Sequence, residues 1–215
     1  MKVGTDGVLV GAWASVEQSS QVLDIGTGTG LIALMCAQRT QAQITGIDID
    51  LQSARQAEAN VADSPCQKQI EIVCDDFRTH AFPHLFDHIV SNPPFFIEDV
   101  KCPDESRNRA RHADSLTFEE LLAGVKRLLT KGGKFTLILP TSAVSDFLRT
   151  AFIFDLYPET QLTIFPRPEL PSKRTLLCLT NLPCELHTET LYIEETPQKY
   201  SPNFIRLLHN YYLYL

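Results

Sequence analysis

The sequence predicts a doubly wound α/β fold, in which a mostly parallel sheet of seven strands carries helices on both faces. Short apolar runs with strand character alternate along the chain with segments of helical composition, the order typical of a parallel sheet. A glycine-rich turn, Gly26-Thr27-Gly28-Thr29-Gly30, follows the first strand, and Asn92-Pro93-Pro94-Phe95 follows the fourth. The C-terminal part changes character and predicts an antiparallel hairpin.

The strands and helices of the predicted sheet can be placed in chain order. Strands are expected at Gln21–Ile25, Gln43–Asp48, Gln69–Val73, Phe86–Val90 and Phe135–Leu139. Helices are expected at Leu31–Arg39, Gln52–Val61 and Thr117–Leu129. The last of these helices has apolar residues at helical spacing, and we expect Gly132-Gly133 to stop it.

The end of the chain predicts a hairpin and one more helix. Gln161–Phe165 and Thr175–Thr180 are β-like runs joined by the proline-rich segment Pro166–Pro171, which indicates an antiparallel hairpin at the sheet edge. The helix is expected from Pro202 to about Tyr214, with a serine cap and a proline in its first turn. The one long irregular segment, Pro93–Arg111, comes directly after Asn92, and long loops in compact domains are usually functional or mobile.

Length and composition indicate one cytoplasmic domain covering residues 1–215. Of these 215 residues, 44% are hydrophobic and 21% are charged, which is enough for a sizeable core in a soluble protein. No apolar stretch is long enough to span a membrane, and the N-terminus lacks the features of a signal peptide. The six cysteines include no Cys-x-x-Cys pair, so we expect neither a metal site nor a structural disulfide.

The net charge of −7 argues against a uniformly basic nucleic-acid binder, yet the charge is uneven. Basic residues cluster after Asn92-Pro93 and again near the predicted hairpin. The first cluster holds Lys101, Arg107, Arg109, Arg111 and His112, and the second holds Arg167, Lys173 and Arg174. A solvated loop explains any single one of these side chains equally well. Together they leave a local RNA contact open.

The glycine-rich turn has the position of a cofactor loop, since open α/β sheets bind ligands between the first strand and the first helix. Gly26, Gly28 and Gly30 allow the backbone to pass close to a ligand. Their Gly-x-Gly-x-Gly spacing differs from that of dinucleotide enzymes, and the loop has no lysine to bind phosphate. A cofactor without phosphates therefore fits better, and S-adenosylmethionine (AdoMet) is the obvious candidate. Asp24 could orient the loop or contact an ammonium group.

Aspartates at the ends of the next two strands complete this expected site. Asp48 is placed to accept both ribose hydroxyls, whereas Asp50 is better explained as a helix cap. Asp75-Asp76-Phe77 follows the third strand; one of the two carboxylates is a candidate acceptor for the adenine amino group, and Phe77 is expected to contact the adenine ring. The alternative is that the turn is only a tight connection and the aspartates are only caps. Their combination in the correct order argues against it.

The Asn92-Pro93-Pro94-Phe95 turn predicts methyl transfer to a planar, conjugated nitrogen. The lone pair of such an amine is delocalised, so catalysis must localise it and aim it at the methyl donor. The Asn92 side-chain carbonyl and the Pro93 backbone carbonyl can accept the two N–H bonds, and proline keeps both acceptors rigid. Phe95 can stack on a flipped base, and Pro94 and Phe96 are expected to contact the substrate. A turn that merely ends a strand is the plainer alternative.

Taken together, these segments resemble the bacterial tRNA(Val) adenine N6-methyltransferase family. The similarity covers nearly the whole chain. It includes the block Met1–Trp13, the glycine-rich turn, Val90–Phe95, Leu139-Pro140 and the tyrosine-rich C-terminus. The Lys-Val-Gly-Thr-Asp-Gly stretch of the opening block is its most specific part. The resemblance implies a Rossmann-like AdoMet-dependent enzyme that methylates the adenosine 3′ of the anticodon.

The resemblance also implies roles for individual residues. Asn92, Pro93 and Phe95 form the amine site. The residues around AdoMet are Thr5, Asp6, Asp24, Gly26, Asp48 and Asp76. Arg111 and Arg174 match basic positions that meet tRNA phosphate. Two departures from the family pattern stand out: family members usually have a further stretch before Met1, and often a tyrosine at the position of Phe95.

Other functions with the same core remain open from the sequence. The enzymatic alternatives are an rRNA guanine-N2 methyltransferase and a protein glutamine methyltransferase, which usually carry domains that this compact chain has no room for. DNA adenine methyltransferases usually need a recognition insertion. A non-catalytic AdoMet- or RNA-binding module is the alternative from another class, and the intact Asn92-Pro93 turn argues against it.

Overall fold

A computed structural model describes residues 4–93 and 116–212 of the chain. The helices of this part are α1 Thr5–Trp13, α2 Leu31–Ala37, α3 Leu51–Ala62, α4 Phe118–Leu128, α5 Val144–Ile153 and α6 Pro202–Leu208. The first strands are β1 Gln21–Ile25, β2 Gln43–Asp48, β3 Ile70–Cys74, β4 Phe86–Ser91 and β5 Leu129–Pro140. They are followed by β6 Tyr157–Phe165, β7 Arg174–Thr180, β8 His187–Tyr192, β9 Glu194–Thr196 and β10 Lys199–Tyr200.

The main sheet has the strand order β3-β2-β1-β4-β5-β7-β6-β8, and β9 and β10 form a separate pair. Every neighbouring pair from β3 to β5 is parallel, whereas β7 runs antiparallel to both β5 and β6. The predicted doubly wound class is confirmed. In such a sheet the ligand site lies where the strand order reverses, here between β1 and β4.

The predicted count of seven strands and the edge position of the hairpin are wrong. In the described part of the chain the sheet has eight strands, and β8 pairs in parallel with β6, so the β6–β7 hairpin lies inside the sheet. Strand β8 begins with the polar, exposed run His187-Thr188-Glu189-Thr190. Leu191 is the one buried residue of the strand. Because a solvated edge strand has no apolar run, the hydrophobic pattern did not indicate it.

The core lies in two layers, one on each face of the sheet. Side chains alternate between them along a strand, so that Val22 packs in one cluster and Leu23 in the other. The first cluster includes side chains from α1, α2, α3 and α6. The second includes Leu121 and Leu122 of α4 and Phe147 of α5. Because both faces of the central strands are buried, apolar side chains occur at adjacent positions, as at Val22 and Leu23.

Helix α1 was not predicted, because its sequence is apolar all round and contains two glycines. These glycines allow α1 to lie close to α2. A Cβ at Gly7 would stand 3.3 Å from Leu31 Cδ2, and a Cβ at Gly11 would stand 2.7 Å from Met35 Sδ. The spacing of four residues on each helix brings the two pairs onto facing stripes. Tertiary packing, rather than local propensity, therefore stabilises α1.

Other helix boundaries agree with the sequence in part. Thr117 and Glu120 form a capping box at the start of α4. That helix ends at Leu128, before Gly132-Gly133, so the expectation that the glycines stop it is wrong. Gly132 has a φ of +75° in β5, where the register against β4 jumps from Leu129 to Lys134. The glycine pair therefore forms an irregularity in a strand.

The last helix begins as expected and ends early. Ser201 caps α6 by accepting a hydrogen bond from Phe204 N, but the helix ends at Leu208. Across residues 4–93 and 116–212, none of the helices is both long enough and apolar enough to cross a bilayer.

Candidate active site

A cavity of about 670 Å³ opens at the carboxyl ends of β1 to β4. Its walls come from the glycine-rich turn, from the segments after β2 and β3, from the first turn of α1 and from the end of β4. The lining residues are Asp6, Ile25, Gly26, Gly28, Ile47, Asp48, Ile49, Asp50, Ser53, Asp75, Asp76, Phe77, Arg78, Ser91, Asn92, Pro93 and Leu116. The topological switch point of the sheet is thus the site of its ligand cavity.

The glycine-rich turn owes its shape to three left-handed residues. Gly26, Gly28 and Gly30 have φ angles of +70°, +58° and +78°, which side chains rarely adopt. The N–H groups of Gly26 and Thr27 both donate to Ile47 O, which ties the turn to β2. Gly26 and Gly28 line the cavity, whereas Gly30 precedes α2 as its cap. The turn therefore presents backbone to the cavity.

Asp24 lies beneath this turn and does not line the cavity. Its Oδ2 accepts hydrogen bonds from the Thr27 hydroxyl at 2.7 Å and from Ala33 N at 3.2 Å, while Oδ1 has no partner among the described residues. Burial raises the pKa of Asp24 to about 7, although both hydrogen bonds oppose the shift. Of the two roles expected for Asp24, the geometry supports orientation of the loop.

Thr27 is a site residue that the sequence reasoning missed. Its side chain is buried and depends on Gly46 of β2, where a Cβ would stand 2.8 Å from Thr27 Oγ1. The two residues are distant in sequence and adjacent only in the folded sheet. The one available signal was the threonine between the first two glycines, which a tight connection alone would not require.

Asp48 holds the turn from the other side. Its Oδ2 accepts a hydrogen bond from Gly28 N at 2.8 Å and its Oδ1 one from Asp50 N at 2.9 Å. Asp50 caps α3 by accepting from Ser53 N at 2.8 Å, as expected. Ile49, which sequence reasoning also missed, lines the cavity with 59% of its surface exposed. A half-exposed isoleucine in a cavity offers an apolar face for a ligand.

Asp76 is engaged in an ion-pair chain. Arg78 Nη2 lies 2.7 Å from Asp76 Oδ2, and Arg78 Nη1 reaches Glu120 Oε1 at 3.2 Å in the first turn of α4. The hydrogen bonds from Arg78 hold the pKa of Asp76 below its usual value. The neighbouring Asp75 pairs with His80 Nδ1 at 2.7 Å, which lowers the pKa of Asp75. Both carboxylates are ionised at neutral pH.

Phe77 lines the cavity, but its ring is mostly buried. A Cβ at Gly124 of α4 would stand 2.4 Å from Phe77 Cε1. The ring therefore packs into the space that this helix glycine leaves open. The expected contact between Phe77 and adenine stays a prediction, limited to the part of the ring that reaches the cavity.

Asn92 and Pro93 follow β4 directly and line the cavity. The Ser91 hydroxyl donates to Ile25 O at 2.9 Å, which ties the end of β4 to the end of β1. A Cβ at Gly7 would stand 3.9 Å from Asn92 Nδ2, so α1 lies beside the Asn92 side chain. Four further residues of the expected substrate site, Pro94, Phe95, Phe96 and Arg111, lie outside the described residues.

The opening block places one of its two expected cofactor residues at the cavity. Asp6 lines the cavity, whereas Thr5 is exposed and does not. Arg174 Nε donates to Asp6 Oδ2 at 2.7 Å. The structure thus joins an expected cofactor residue to an expected tRNA contact.

The charge of the cavity suits a cationic ligand without phosphates. Its lining includes five carboxylates and one guanidinium. The carboxylates are Asp6, Asp48, Asp50, Asp75 and Asp76, and the guanidinium is that of Arg78. A polyphosphate would be repelled here, whereas the sulfonium and ammonium groups of AdoMet would be attracted.

Within residues 4–93 and 116–212, no three His, Cys, Asp or Glu side chains are grouped as metal ligands. The expectation that the chain has no metal stays a prediction.

The comparisons with known proteins agree with this geometry. The family model described as Methyltransferase small domain matches residues 7–153. A tRNA1(Val) (adenine(37)-N6)-methyltransferase from Bacteroides fragilis is 47% identical, over 99% of this chain and 91% of the relative. The chain belongs to this methyltransferase family. A second family member, from Yersinia enterocolitica, is 41% identical over 99% of this chain and 86% of the relative.

Solved structures of methyltransferases share the fold of this family member. A protein described as a predicted O-methyltransferase from Agrobacterium tumefaciens superposes with a TM-score of 0.76, at 18% identity, over 95% of this chain and 96% of that one. The glycopeptide N-methyltransferase MtfA, solved in complex with S-adenosylmethionine, gives a TM-score of 0.62 at 15% identity, over 85% and 90% of the chains. The sequence-based assignments of fold and family are confirmed.

Proposed function

We propose that this protein transfers a methyl group from AdoMet to the exocyclic N6 amine of an adenosine in tRNA, namely adenosine 37 of tRNA(Val). The observation that carries the proposal is the position of Asn92-Pro93 in the wall of the same cavity that the glycine-rich turn lines. Relatives that are 40–47% identical over nearly the whole chain carry this activity in their names.

The described residues fit AdoMet. Gly26 faces open space, since a Cβ there would meet no atom within 4 Å. Asp48 has lone pairs left for ribose hydroxyls beyond its bonds to Gly28 and Asp50. Asp76 and Ile49 supply an acceptor and an apolar face on the same wall. When bound, AdoMet supplies an electrophilic methyl group.

The catalytic contribution of the chain is to position the amine. We assign Asn92 Oδ1 and Pro93 O as the acceptors of its two N–H bonds. The ring of Pro93 and the bond from Ser91 to Ile25 O keep these acceptors rigid. Preorganised acceptors favour a pyramidal nitrogen and aim its lone pair at the methyl group. The proton leaves to Asn92 or to solvent after transfer, so we assign no general base.

The substrate side rests on residues beyond the cavity. We assign Phe95 to stacking on the flipped adenine, Pro94 and Phe96 to further substrate contact, and Arg111 to tRNA phosphate. A tRNA enzyme of this kind acts in the cytoplasm as a single domain covering residues 1–215.

The test is methyl transfer from labelled AdoMet to bulk tRNA, ribosomal RNA, duplex DNA and a peptide release factor, followed by mass spectrometry of the products. N6-methyladenosine in tRNA alone is the expected result. N2-methylguanosine or methylglutamine would overturn the substrate assignment. AdoMet binding without any transfer would instead favour a non-catalytic module.

Asn92→Ala is the matched variant for the mechanism. It should abolish methylation while AdoMet still binds with the affinity of the wild type, because the amide positions the amine and not the cofactor. Loss of both together would contradict this assignment and point to a structural Asn92.

A further inference from the structure

The sheet brings Asn92-Pro93, which we call the active turn, and an aromatic pair to the same end of its strands. Register pairs Ser91 of β4 with Leu137 of β5, and Pro140 of β5 with Arg174 of β7. It then pairs Arg174 with Ile164 of β6, and Phe165 with Tyr192 of β8. One end of the sheet, perpendicular to the strand direction, is therefore formed by the ends of β4, β5, β6 and β8 and by the start of β7. We call this end of the sheet the active edge.

Charge divides the active edge on either side of Asn92. The cofactor side carries the five cavity carboxylates. The other side carries three cations, which are Arg167, Lys173 and Arg174. Arg167 faces Glu169 at 3.3 Å and Glu194 at 3.9 Å, and Arg174 faces Asp6. A polyanion is repelled by the first side, whereas on the second side Glu169 and Glu194 offset only part of the positive charge and Lys173 is exposed.

The second side also presents an aromatic pair. The rings of Phe165 and Tyr192 have centroids 5.4 Å apart, and Tyr192 has 37% of its surface exposed. Tyr192 belongs to a strand whose other exposed residues are all polar. Exposed aromatic rings are the platforms on which proteins stack unpaired bases.

We propose that the β7–β6–β8 part of the active edge binds the RNA loop that flanks the target adenosine, with a base stacked on Tyr192 and a phosphate at Lys173. This proposal rests on the proposed function. Four strand spacings of about 4.8 Å place Tyr192 roughly 19 Å from the active turn along the edge. Several nucleotides of a loop span that distance, so a second contact would fix the register of the target base.

The opposite end of the same strands supplies matched control residues for Tyr192 and Lys173. Phe152 and Tyr157 form another aromatic pair there, with centroids 6.0 Å apart and Phe152 52% exposed. Lys131, in the first part of β5, is an exposed lysine at that end. Tyr192→Ala is therefore compared with Phe152→Ala, and Lys173→Ala with Lys131→Ala.

Binding of tRNA(Val) and of its anticodon stem-loop is measured for each variant, together with steady-state methylation and AdoMet affinity. Tyr192→Ala should weaken RNA binding about ten-fold and raise KM for tRNA while kcat and AdoMet binding stay unchanged. Lys173→Ala should reduce the magnitude of the slope of log affinity against log salt concentration by about 1, the change expected for the loss of one phosphate contact. Both controls should behave as the wild type.

Equal RNA affinity of Tyr192→Ala and Phe152→Ala would overturn the proposal. Tyr192→Phe keeps the ring and should retain binding, which separates stacking from a folding defect. If the wild type methylates tRNA and neither Tyr192→Ala nor Lys173→Ala changes RNA affinity, the RNA-binding surface is refuted and the proposed function stands. A wild type that binds RNA through Tyr192 without methylating it refutes the proposed function alone.

Discussion

Arg174 Nε donates to Asp6 Oδ2 at 2.7 Å and so joins the start of β7 to the first turn of α1, across 168 positions of sequence. Asp6 lines the cavity, and the next residue, Gly7, lies beside the Asn92 side chain. The ion pair therefore ties the helix that lies beside Asn92 to the start of β7. Arg174, expected from the resemblance to meet tRNA phosphate, is bonded to Asp6 in the described structure, and we expect it to position α1.

Replacing either partner tests that role. Asp6→Asn and Arg174→Gln should each lower kcat, and the double variant should be no worse than either single one, because both remove the same contact. Protein stability should change little, since partly exposed ion pairs contribute about 0–1 kcal/mol. Methylation kinetics and urea unfolding measure both effects. A raised KM for tRNA in Arg174→Gln but not in Asp6→Asn would favour the phosphate contact instead.

The hydroxyl of Thr27 is expected to be essential to the glycine-rich turn. Thr27→Val removes the donor to buried Asp24 and leaves that carboxyl poorly satisfied, which should cost about 1–3 kcal/mol of folding free energy. The pKa of Asp24, already about 7, should rise further because a hydrogen bond that lowers it is lost. Urea unfolding at pH 6 and pH 8 measures both. Thr27→Ser, which keeps the hydroxyl, is the control and should resemble the wild type.

Substitutions of Asp48 and Asp50 should have different effects, the first on AdoMet affinity and the second on thermal stability. Asp48→Ala removes the acceptor of Gly28 N and the expected ribose acceptor, so AdoMet affinity should fall at least ten-fold, as measured by calorimetry. Asp50→Ala removes the cap of α3 and should lower thermal stability, with AdoMet affinity nearly unchanged. The reverse pattern would show that Asp50 is the cofactor ligand.

Because His88 is buried, we expect the protein to lose folding stability at acid pH. Burial lowers its pKa to about 4, while its Nε2 lies 2.9 Å from Thr136 Oγ1. The unfolded state binds its proton near pH 6.5, so stability is lost as the pH falls from 6.5 towards 4, by up to about 3 kcal/mol. Urea unfolding at pH 7 and pH 4.5 measures the loss. His88→Gln should reduce this loss, and an unchanged loss would contradict the assignment.

Asp24 should change the folding stability with pH in the opposite direction to His88. Its folded pKa is raised from 3.8 to about 7, so its contribution to stability is lost as the pH rises from 3.8 through 7. Asp24→Asn should therefore remove the loss between pH 3.8 and 7, which His88→Gln leaves in place. The same unfolding series distinguishes the two groups because, as the pH falls over this shared range, Asp24 raises the stability of the fold and His88 lowers it.

The sequence predicted those parts of the fold that have strong local patterns. The bounds of β1 and β2 agree with the expected runs, since strands buried on both faces carry apolar side chains at positions of either parity. The capping roles of Asp50 and Ser201 were also readable from the sequence. Helix α1 and strand β8 were not, because packing against α2 and pairing with β6 stabilise them, rather than any periodicity of their own.

The site follows the same division. Glycines and strand-end aspartates were predicted from spacing, and the structure brings Gly26, Asp48, Asp76 and Asn92 to one cavity. The partners of these residues could not be predicted. Arg78 joins Asp76 to α4, and Thr27 depends on a glycine one strand away, and both relationships exist only after folding.

The polar character of β8 has a consequence for how copies of the protein meet. An unpaired strand edge is a template for association with another chain, and proteins protect such edges with charged and polar side chains. The exposed side chains of β8 include His187 and Glu189, so a second copy pairing there would have to desolvate them. The extra strand extends the sheet and, at the same time, discourages aggregation along it.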